Sequence, residues 1–352
     1  MGGEAPRKAK MYVRARAPLR ISFVGGGTDL PCYYLNWGGA VIAGSVNRYA
    51  YVTLAPRDDD YICISSLDFD LSVKYHVDEE PIYSDALKLA QAAVRRLVPQ
   101  HSNSHGFDLY IQSDAPAGSG LGGSTALVLA ILGAIMKFKD IVLDNPGLAE
   151  LAYTVERFDL GISGGKQDQY QATFGGFNLI EFNKESVLVT PLKLPRFILN
   201  DLEHHLLICY TGKTHTSANI TDQLDGYIRS QRPATVQGLQ QLHQLVYALK
   251  DTLLQGRLLE MAEMLDCAWK LKLQLNPPEV TDPFIDELYE VAKKNGALGG
   301  KLLGAGGGGF LLLFCQSNGK RAVREKLEQL GCQFAPFSFV DEGLAAWWSN
   351  QL

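Results

Sequence analysis

Several large classes of protein are excluded by what this chain lacks. Its six cysteines, Cys32, Cys63, Cys209, Cys267, Cys315 and Cys332, form no C-x-x-C pair and share no zinc-like spacing with histidine. Several sit inside apolar runs such as "HLLICY" and "FLLLFC", as buried thiols do in a reducing compartment. Positive charge is not in excess: 33 Lys and Arg stand against 38 Asp and Glu, a net of −5. Neither nucleic acid nor an anionic membrane is attracted to such a chain as a whole, so an anionic ligand would need a local cluster of cations. The longest apolar helix candidate, Ser124 to Phe138, is too short for the roughly 30 Å of a bilayer core. The basic start "MGGEAPRKAK" has no apolar core after it and does not read as a secretory signal. No low-complexity linker divides the 352 residues, and no solenoid repeat is visible. A Walker A loop is also missing: "YTGKTH" offers Gly212-Lys213-Thr214, but Leu207 stands where the first glycine is required. A cytoplasmic globular protein is expected, 46% hydrophobic and 20% charged, long enough for two domains.

Strand patterns are concentrated in the first hundred residues: "MYVRARAPLRISFV", "AVIAGSVNRYAYVTLA", "YICISSL" and "DLSVKYHV". Ser84 to Val98 has helical spacing of apolar residues. "FDLYIQSD" reads as a strand, followed by the glycine-rich "PAGSGLGGST" and the nearly all-apolar helix "STALVLAILGAIMKF". Asn145-Pro146 starts a helix running to about Phe158. The second half opens with strands "FNLIEFN", "VLVTPLKL" and "HLLICYTG". Three or four amphipathic helices cover Ser217 to Asn295. Then "GALGGKLLGAGGGGFLLLFCQ" is a glycine-dense turn into a strand, and a helix (Arg321 to Leu330) and the strand "CQFAPFSFV" end the pattern. Strands and helices mix without strict alternation, which predicts an α+β chain with two lobes.

"PAGSGLGGST" contains Gly118-x-Gly120-x-x-Gly123, the dinucleotide-binding spelling, and Asp144 lies 21 residues on. Three features weigh against that use. The loop comes after about 115 residues of antiparallel-looking strands. A Pro-x-Gly segment separates strand from glycines. Asp144 leads directly into a helix cap and not into a second strand. Glycines of this kind also let the backbone approach a phosphate and point N–H groups at it. The helix starting near Ser124 adds its positive end, and the Ser124 hydroxyl stands where it could ligate Mg²⁺.

The chain resembles the GHMP kinases on three motifs in the family's order. Pro116, Gly118, Ser119, Gly120, Leu121, Gly122, Gly123, Ser124 and Thr125 follow the nucleotide loop P-x-x-x-G-L-G-S-S-A, with Gly123 in place of the first serine. "APLRISFVGGGTDL", Ala17 to Leu30, follows the sugar-kinase start without gaps. "GAGGGGF", Gly304 to Phe310, follows the C-terminal glycine motif. Within the family, "FVGGGTDLPCYY", "ERFDLGISGGKQDQYQATFGGFN" and "YTGKTHTSA" are similar to the branch acting on heptose phosphates, with the fucokinase type second. The departure from the galactokinase start, at Gly25-Gly26-Gly27-Thr28-Asp29, removes two sugar contacts and disfavours galactose.

The resemblance implies a two-lobed fold: an S5-like α/β nucleotide-binding lobe (residues 1–190) and a ferredoxin-like α+β lobe (residues 191–352). It implies ATP and Mg²⁺, a small sugar phosphate as substrate, and neither nucleic acid nor membrane as partner; a homodimer is left open. Asp168 would accept or orient the substrate hydroxyl, and Arg20 would stabilise the transferred phosphoryl. Ser124 and Glu156 would hold Mg²⁺. Gly26, Gly27, Thr28 and Asp29 would line the sugar pocket. A phosphate already on the substrate needs a cation; among Arg48, Arg157, Lys166 and Lys213, Lys166 is favoured because it lies two residues from Asp168.

Overall fold

The computed structural model describes residues 11–101, 105–213, 217–275 and 280–350. The first part of the chain comprises β1 (Tyr12–Val24), α1 (Pro31–Trp37), β2 (Gly39–Pro56), β3 (Tyr61–Ser66), β4 (Leu71–His76), α2 (Lys88–Leu97), β5 (Phe107–Ser113), α3 (Gly123–Phe138), α4 (Asn145–Thr154), a π-turn (Val155–Asp159), α5 (Gln167–Phe174), β6 (Phe177–Phe182) and β7 (Val187–Pro191). There follow α6 (Arg196–His205), β8 (Leu206–Tyr210), α7 (Ser217–Arg229), α8 (Pro233–Leu254), α9 (Leu258–Leu275), α10 (Pro283–Lys294), β9 (Ala297–Leu302), β10 (Phe310–Cys315), α11 (Lys320–Gln329), β11 (Gln333–Phe334) and β12 (Ala345–Ser349).

The strands form two sheets. The larger runs β12-β1-β2-β5-β3-β4, with β6 and β7 continuing from β2. All its pairs are antiparallel except β3 with β5. The smaller, fully antiparallel sheet runs β11-β8-β10-β9. Numbered from its own first strand, that order is 4-1-3-2, the ferredoxin-like arrangement. The α+β, two-lobed expectation is thus met. The last strand crosses back: β12 pairs with β1, Tyr12 opposite Ser349 and Arg16 opposite Ala345. The second sheet therefore belongs to an excursion between β7 and β12.

Helix α3 explains the stability of the first lobe. Its sequence is apolar on all sides, which suits only a helix surrounded by protein. It packs on β1 and β2, with α2, α5 and β12 covering its flanks. Val128, Leu129, Ile131, Leu132 and Ile135 are all fully buried, each worth about 1.5–3 kcal/mol against exposure.

Strand β1 carries a different message. Up to Arg16 its residues alternate between buried and half-buried; from Ala17 onward every one is buried. The change marks where helices α8 and α9 cover the second face of the sheet. The alternate set Leu19, Ile21 and Phe23 is in the core, and the period of two sends Arg20 and Ser22 to the other face, where they line a cleft between the lobes.

Some elements were not legible. Helices α1, α5 and α6 are short and lack a clear 3.6-residue pattern. The glycine-dense turn contains a full strand, β9. Strand β12, "AAWWS", exists only because β1 offers it a distant edge. The "CQFAPFSFV" strand shortens to Gln333–Phe334 with an isolated bridge from Phe339 to Val46.

Candidate active site

Arg20 is 4% exposed and meets Asp168 in a two-pronged ion pair, Nε to Oδ1 at 2.7 Å and Nη2 to Oδ2 at 2.9 Å. Its remaining terminal nitrogen, Nη1, donates to the Gly120 carbonyl at 2.5 Å. One guanidinium thereby ties β1, the glycine loop and α5 together. Asp168 stands in the first turn of α5, where the helix dipole favours negative charge. Ser22 Oγ donates to Gln167 Oε1 at 2.8 Å and fixes the same turn from below. Asp29, 3% exposed, accepts from Gly27 N at 3.0 Å and from Gln167 N at 3.2 Å. Burial pushes its carboxyl above the usual range, with the Asp168 charge adding to the effect. Gly165 must be a glycine here: a Cβ would sit 1.9 Å from Asp29 Oδ2.

The opposite wall is the glycine loop. Gly118, Gly120 and Gly122 all have positive φ, between +72° and +81°. Gly122 caps α3 in the left-handed region, and among the described residues no side chain caps the helix's first N–H groups. Those donors are left for a ligand at the cleft, an arrangement suited to phosphate. The loop is held from two sides: Arg20 N donates to Leu121 O at 3.0 Å, and Phe310 N donates to Ser119 O at 2.9 Å. The C-terminal glycine run packs against it so closely that a Cβ on Gly304 would lie 2.7 Å from Gly120 Cα.

Glu156 lies in the π-turn after α4, 3% exposed at the cleft wall. Thr125 Oγ1 donates to both its oxygens, at 2.9 and 3.0 Å, and Gln169 Nε2 donates to Oε2. Burial raises its pKa, opposed by the nearby charge of Arg157. The donors on this carboxylate are neutral, and a buried carboxylate is most stable facing a cation. With the exposed Ser124 hydroxyl on the same cleft, the oxygen donors fit Mg²⁺, which commonly takes one or two protein oxygens and completes its shell with phosphate and water. Among the described residues no group of three or more His, Cys, Asp or Glu could hold a metal by itself.

Of the residues singled out in the sequence, the cleft gathers Arg20, Gly26, Gly27, Asp29, Pro116, Gly118, Ser119, Gly120, Gly122, Gly123, Ser124, Thr125, Glu156 and Asp168. Three are not on its wall. Leu121 is turned into the core. The Thr28 hydroxyl is buried, donates toward Gly25 O and Ala40 O at 2.8 Å and accepts from Ala40 N at 3.0 Å, closing the turn it belongs to. Lys166 corrects the expectation built on its nearness to Asp168. Its ammonium is 2.6 Å from Glu150 Oε1 and lies over the Tyr153 ring, because the start of α5 turns successive side chains apart. The other cations considered fare similarly. Arg48 donates to Pro336 O at 3.0 and 3.2 Å, and Lys213 pairs with Asp282 at 2.6 Å. Arg157 reaches the cleft but donates to Ile162 O and Gly165 O. Residues 214–216 of "YTGKTHTSA" lie outside the described residues.

Two cations on this wall went unnoticed in the sequence: Lys272 of α9 and Lys301 of β9. The available signal was a lysine embedded in a run of glycine and leucine, "GGKLLG", where burial is expected and a charge is out of place.

No helix among the described residues is long and apolar enough to cross a membrane. The GHMP kinases N-terminal domain model matches residues 88–176 and the GHMP kinases C-terminal model matches residues 246–331. The D-glycero-alpha-D-manno-heptose 7-phosphate kinase of Campylobacter jejuni is 32% identical over 95% of this chain and 98% of its own. A crystal structure of a D-glycero-D-manno-heptose 1-phosphate kinase from Bacteroides thetaiotaomicron superposes with a TM-score of 0.79 at 31% identity, covering 95% of this chain and 98% of that one. The bifunctional fucokinase/GDP-fucose pyrophosphorylase of Arabidopsis thaliana is 26% identical over 92% of this chain but only 31% of its own length. Fold, glycine loop and full-length likeness agree, and the chain belongs to the GHMP kinases, as a sugar kinase of that family.

Proposed function

We propose that the protein transfers the γ-phosphoryl group of ATP to the anomeric hydroxyl of D-glycero-D-manno-heptose 7-phosphate, giving the 1,7-bisphosphate for nucleotide-activated heptose biosynthesis. The observation that carries the chemistry is the Arg20–Asp168 pair, with Arg20 buried against the glycine loop and both carboxylate oxygens of the half-buried Asp168 engaged. The full-length likeness to a heptose 7-phosphate kinase supports the substrate.

Asp168 takes the proton of the anomeric hydroxyl as its oxygen attacks the γ-phosphorus. The bond to the bridging oxygen breaks and ADP leaves. Little covalent chemistry is asked of the protein, so positioning and charge carry the rate. Arg20 holds Asp168 in place and offsets charge on the phosphoryl in flight. Backbone N–H groups of Gly118 to Ser124 hold the nucleotide phosphates. Ser124 and Glu156 would hold Mg²⁺, which offsets the charge of those phosphates. Asp29, with the backbone of Gly26 and Gly27, receives the sugar hydroxyls.

The test is ATP consumption with Mg²⁺ and a panel of D-glycero-D-manno-heptose 7-phosphate, mannose, fucose, galactose and no sugar, with the product followed by phosphorus NMR. An anomeric phosphate formed only from the heptose phosphate is expected. Turnover of fucose alone would keep the chemistry and replace the substrate. No turnover with any sugar would discard this function.

A further inference from the structure

The stretch "GISGG", Gly161 to Gly165, joins the π-turn to α5, and its Ile162, Ser163, Gly164 and Gly165 line the cleft. Gly165 lies against Asp29, where a Cβ would come within 1.9 Å of Oδ2. Two residues on, Gln167 N donates to that same oxygen at 3.2 Å, and Asp168 follows. From the second lobe, Asp222 of α7 accepts a hydrogen bond from Ser163 Oγ. Three glycines in five residues do not hold such a shape by themselves, because glycine has the most backbone freedom to lose.

Arg157 holds it. The chain doubles back so that Ile162 N donates to Glu156 O at 2.9 Å. The Arg157 side chain fills the inside of that bend: Nη1 donates to Ile162 O at 3.1 Å and Nη2 to Gly165 O at 3.3 Å. A planar guanidinium spans two carbonyls three residues apart, which an ammonium, acting from one point, does not. The Tyr153 ring of α4 backs the guanidinium at 5.8 Å. Gly164 makes room for it, since a Cβ there would lie 2.4 Å from Nη2. The buried Nε has no hydrogen-bond partner among the described residues. That unpaired donor offsets part of what the two carbonyl bonds add to stability. What Arg157 supplies is the course of the chain past Asp29 to Asp168.

We propose, taking the phosphoryl transfer above as given, that Arg157 is a positioning residue for the sugar: the loop wound on its guanidinium fixes Asp29 and presents Asp168 to the reacting hydroxyl. The glycine loop on the opposite wall is held by Arg20 and Phe310, and the Glu156 carboxylate by Thr125 and Gln169. Nucleotide binding therefore does not depend on Arg157.

The test compares wild type with Arg157→Met, Arg157→Lys and Gly164→Ala, the last pushing the guanidinium aside while leaving its charge. Steady-state kinetics on D-glycero-D-manno-heptose 7-phosphate are read beside hydrogen exchange in the peptide covering residues 160–170. Arg157→Met should raise KM for the sugar and lower kcat, each by about tenfold or more, with ATP–Mg²⁺ binding within about twofold of wild type. Exchange in that peptide should quicken. Arg157→Lys, keeping one of the two bonds, should fall between, and Gly164→Ala should move both constants in the same direction. A residue that only stabilises the fold would lower the melting temperature and leave the two constants of the folded enzyme alone. Wild-type constants in Arg157→Met would overturn the proposal, as would a loss of ATP–Mg²⁺ binding as large as the rise in sugar KM. Should Arg157→Met fail to fold, Gly164→Ala decides by the same readings. If wild type leaves the heptose phosphate untouched, the function falls, while quicker loop exchange in the variants still upholds Arg157 as the support of the loop.

Discussion

In the proposed reaction, Asp168 is the residue on which the chemistry turns. It is a short acid at the first turn of a short helix, with both oxygens gripped by a guanidinium from a strand 148 residues away. Substituting asparagine keeps the shape and part of the hydrogen bonding but removes the proton acceptor and the charge that balances Arg20. Turnover of Asp168→Asn should fall by about 10²–10⁴, with ATP–Mg²⁺ binding little changed. Single-turnover kinetics together with a nucleotide-binding measurement check this; wild-type turnover would remove Asp168 from the mechanism. The pairing partner was legible because Arg20 and Asp168 each stand in a motif of fixed spelling. Lys166 misled because nearness in sequence was taken for nearness in space. At a helix start, residues two apart point about 200° apart around the axis, and Glu150 of α4 was placed to claim the lysine.

The elements that build the site are held by contacts too close for side chains. The glycine loop before α3 and the loop between β9 and β10 meet at Gly120, where a Cβ would lie 2.6 Å from Leu303 O and where φ is +81°. Alanine there is unfavourable twice over: the left-handed conformation costs about 1–2 kcal/mol, and the loops must separate. Gly120→Ala should lower thermal stability and weaken ATP binding by about tenfold or more. Thermal unfolding with and without ATP–Mg²⁺ measures both, and an unchanged nucleotide response would show that the two loops need not touch. The sequence signalled both glycine runs by composition. Glycines at that density are what one loop needs to pack closely on another, and the second run is pressed onto the first. Strand β9 was hidden, as Gly299 and Gly300 read as a turn. They are glycines because α9 and β10 approach too near for anything else.

At the scale of the molecule, Lys301 joins the lobes, reaching from the small sheet to a carbonyl of the large one. Burial first, and then Arg20, pull its pKa from 10.5 down to about 7. Lys272 is lowered too, by burial and by Lys301 and Arg20. Between pH 7 and 10.5 the unfolded chain then holds more protons at these sites than the folded one. Stability of the ligand-free protein should consequently rise with pH over that window and be lowest below it. Lys301→Met should reduce the slope, as followed by chemical denaturation between pH 6 and 10 (about the interval in which the lysine titrates). A slope that the substitution leaves unchanged would mean that Lys301 is charged in the free cleft across the whole range.

The sequence by itself determined the chemistry and most of the parts. The three motifs lie in local runs whose glycines, apolar residues and acids have fixed spacing, so Arg20, the glycine loop, Glu156 and Asp168 could be named before any fold was known. The tertiary structure alone decided which cations line the cleft. Lys272 and Lys301 stand 29 residues apart on a helix and a strand, and only the backbone contact at Gly299 brings them to one wall. It also decided that β12 closes the first sheet. Both depend on pairings between segments far apart in the chain, and strand pairing and close backbone approach leave no periodic mark on either partner.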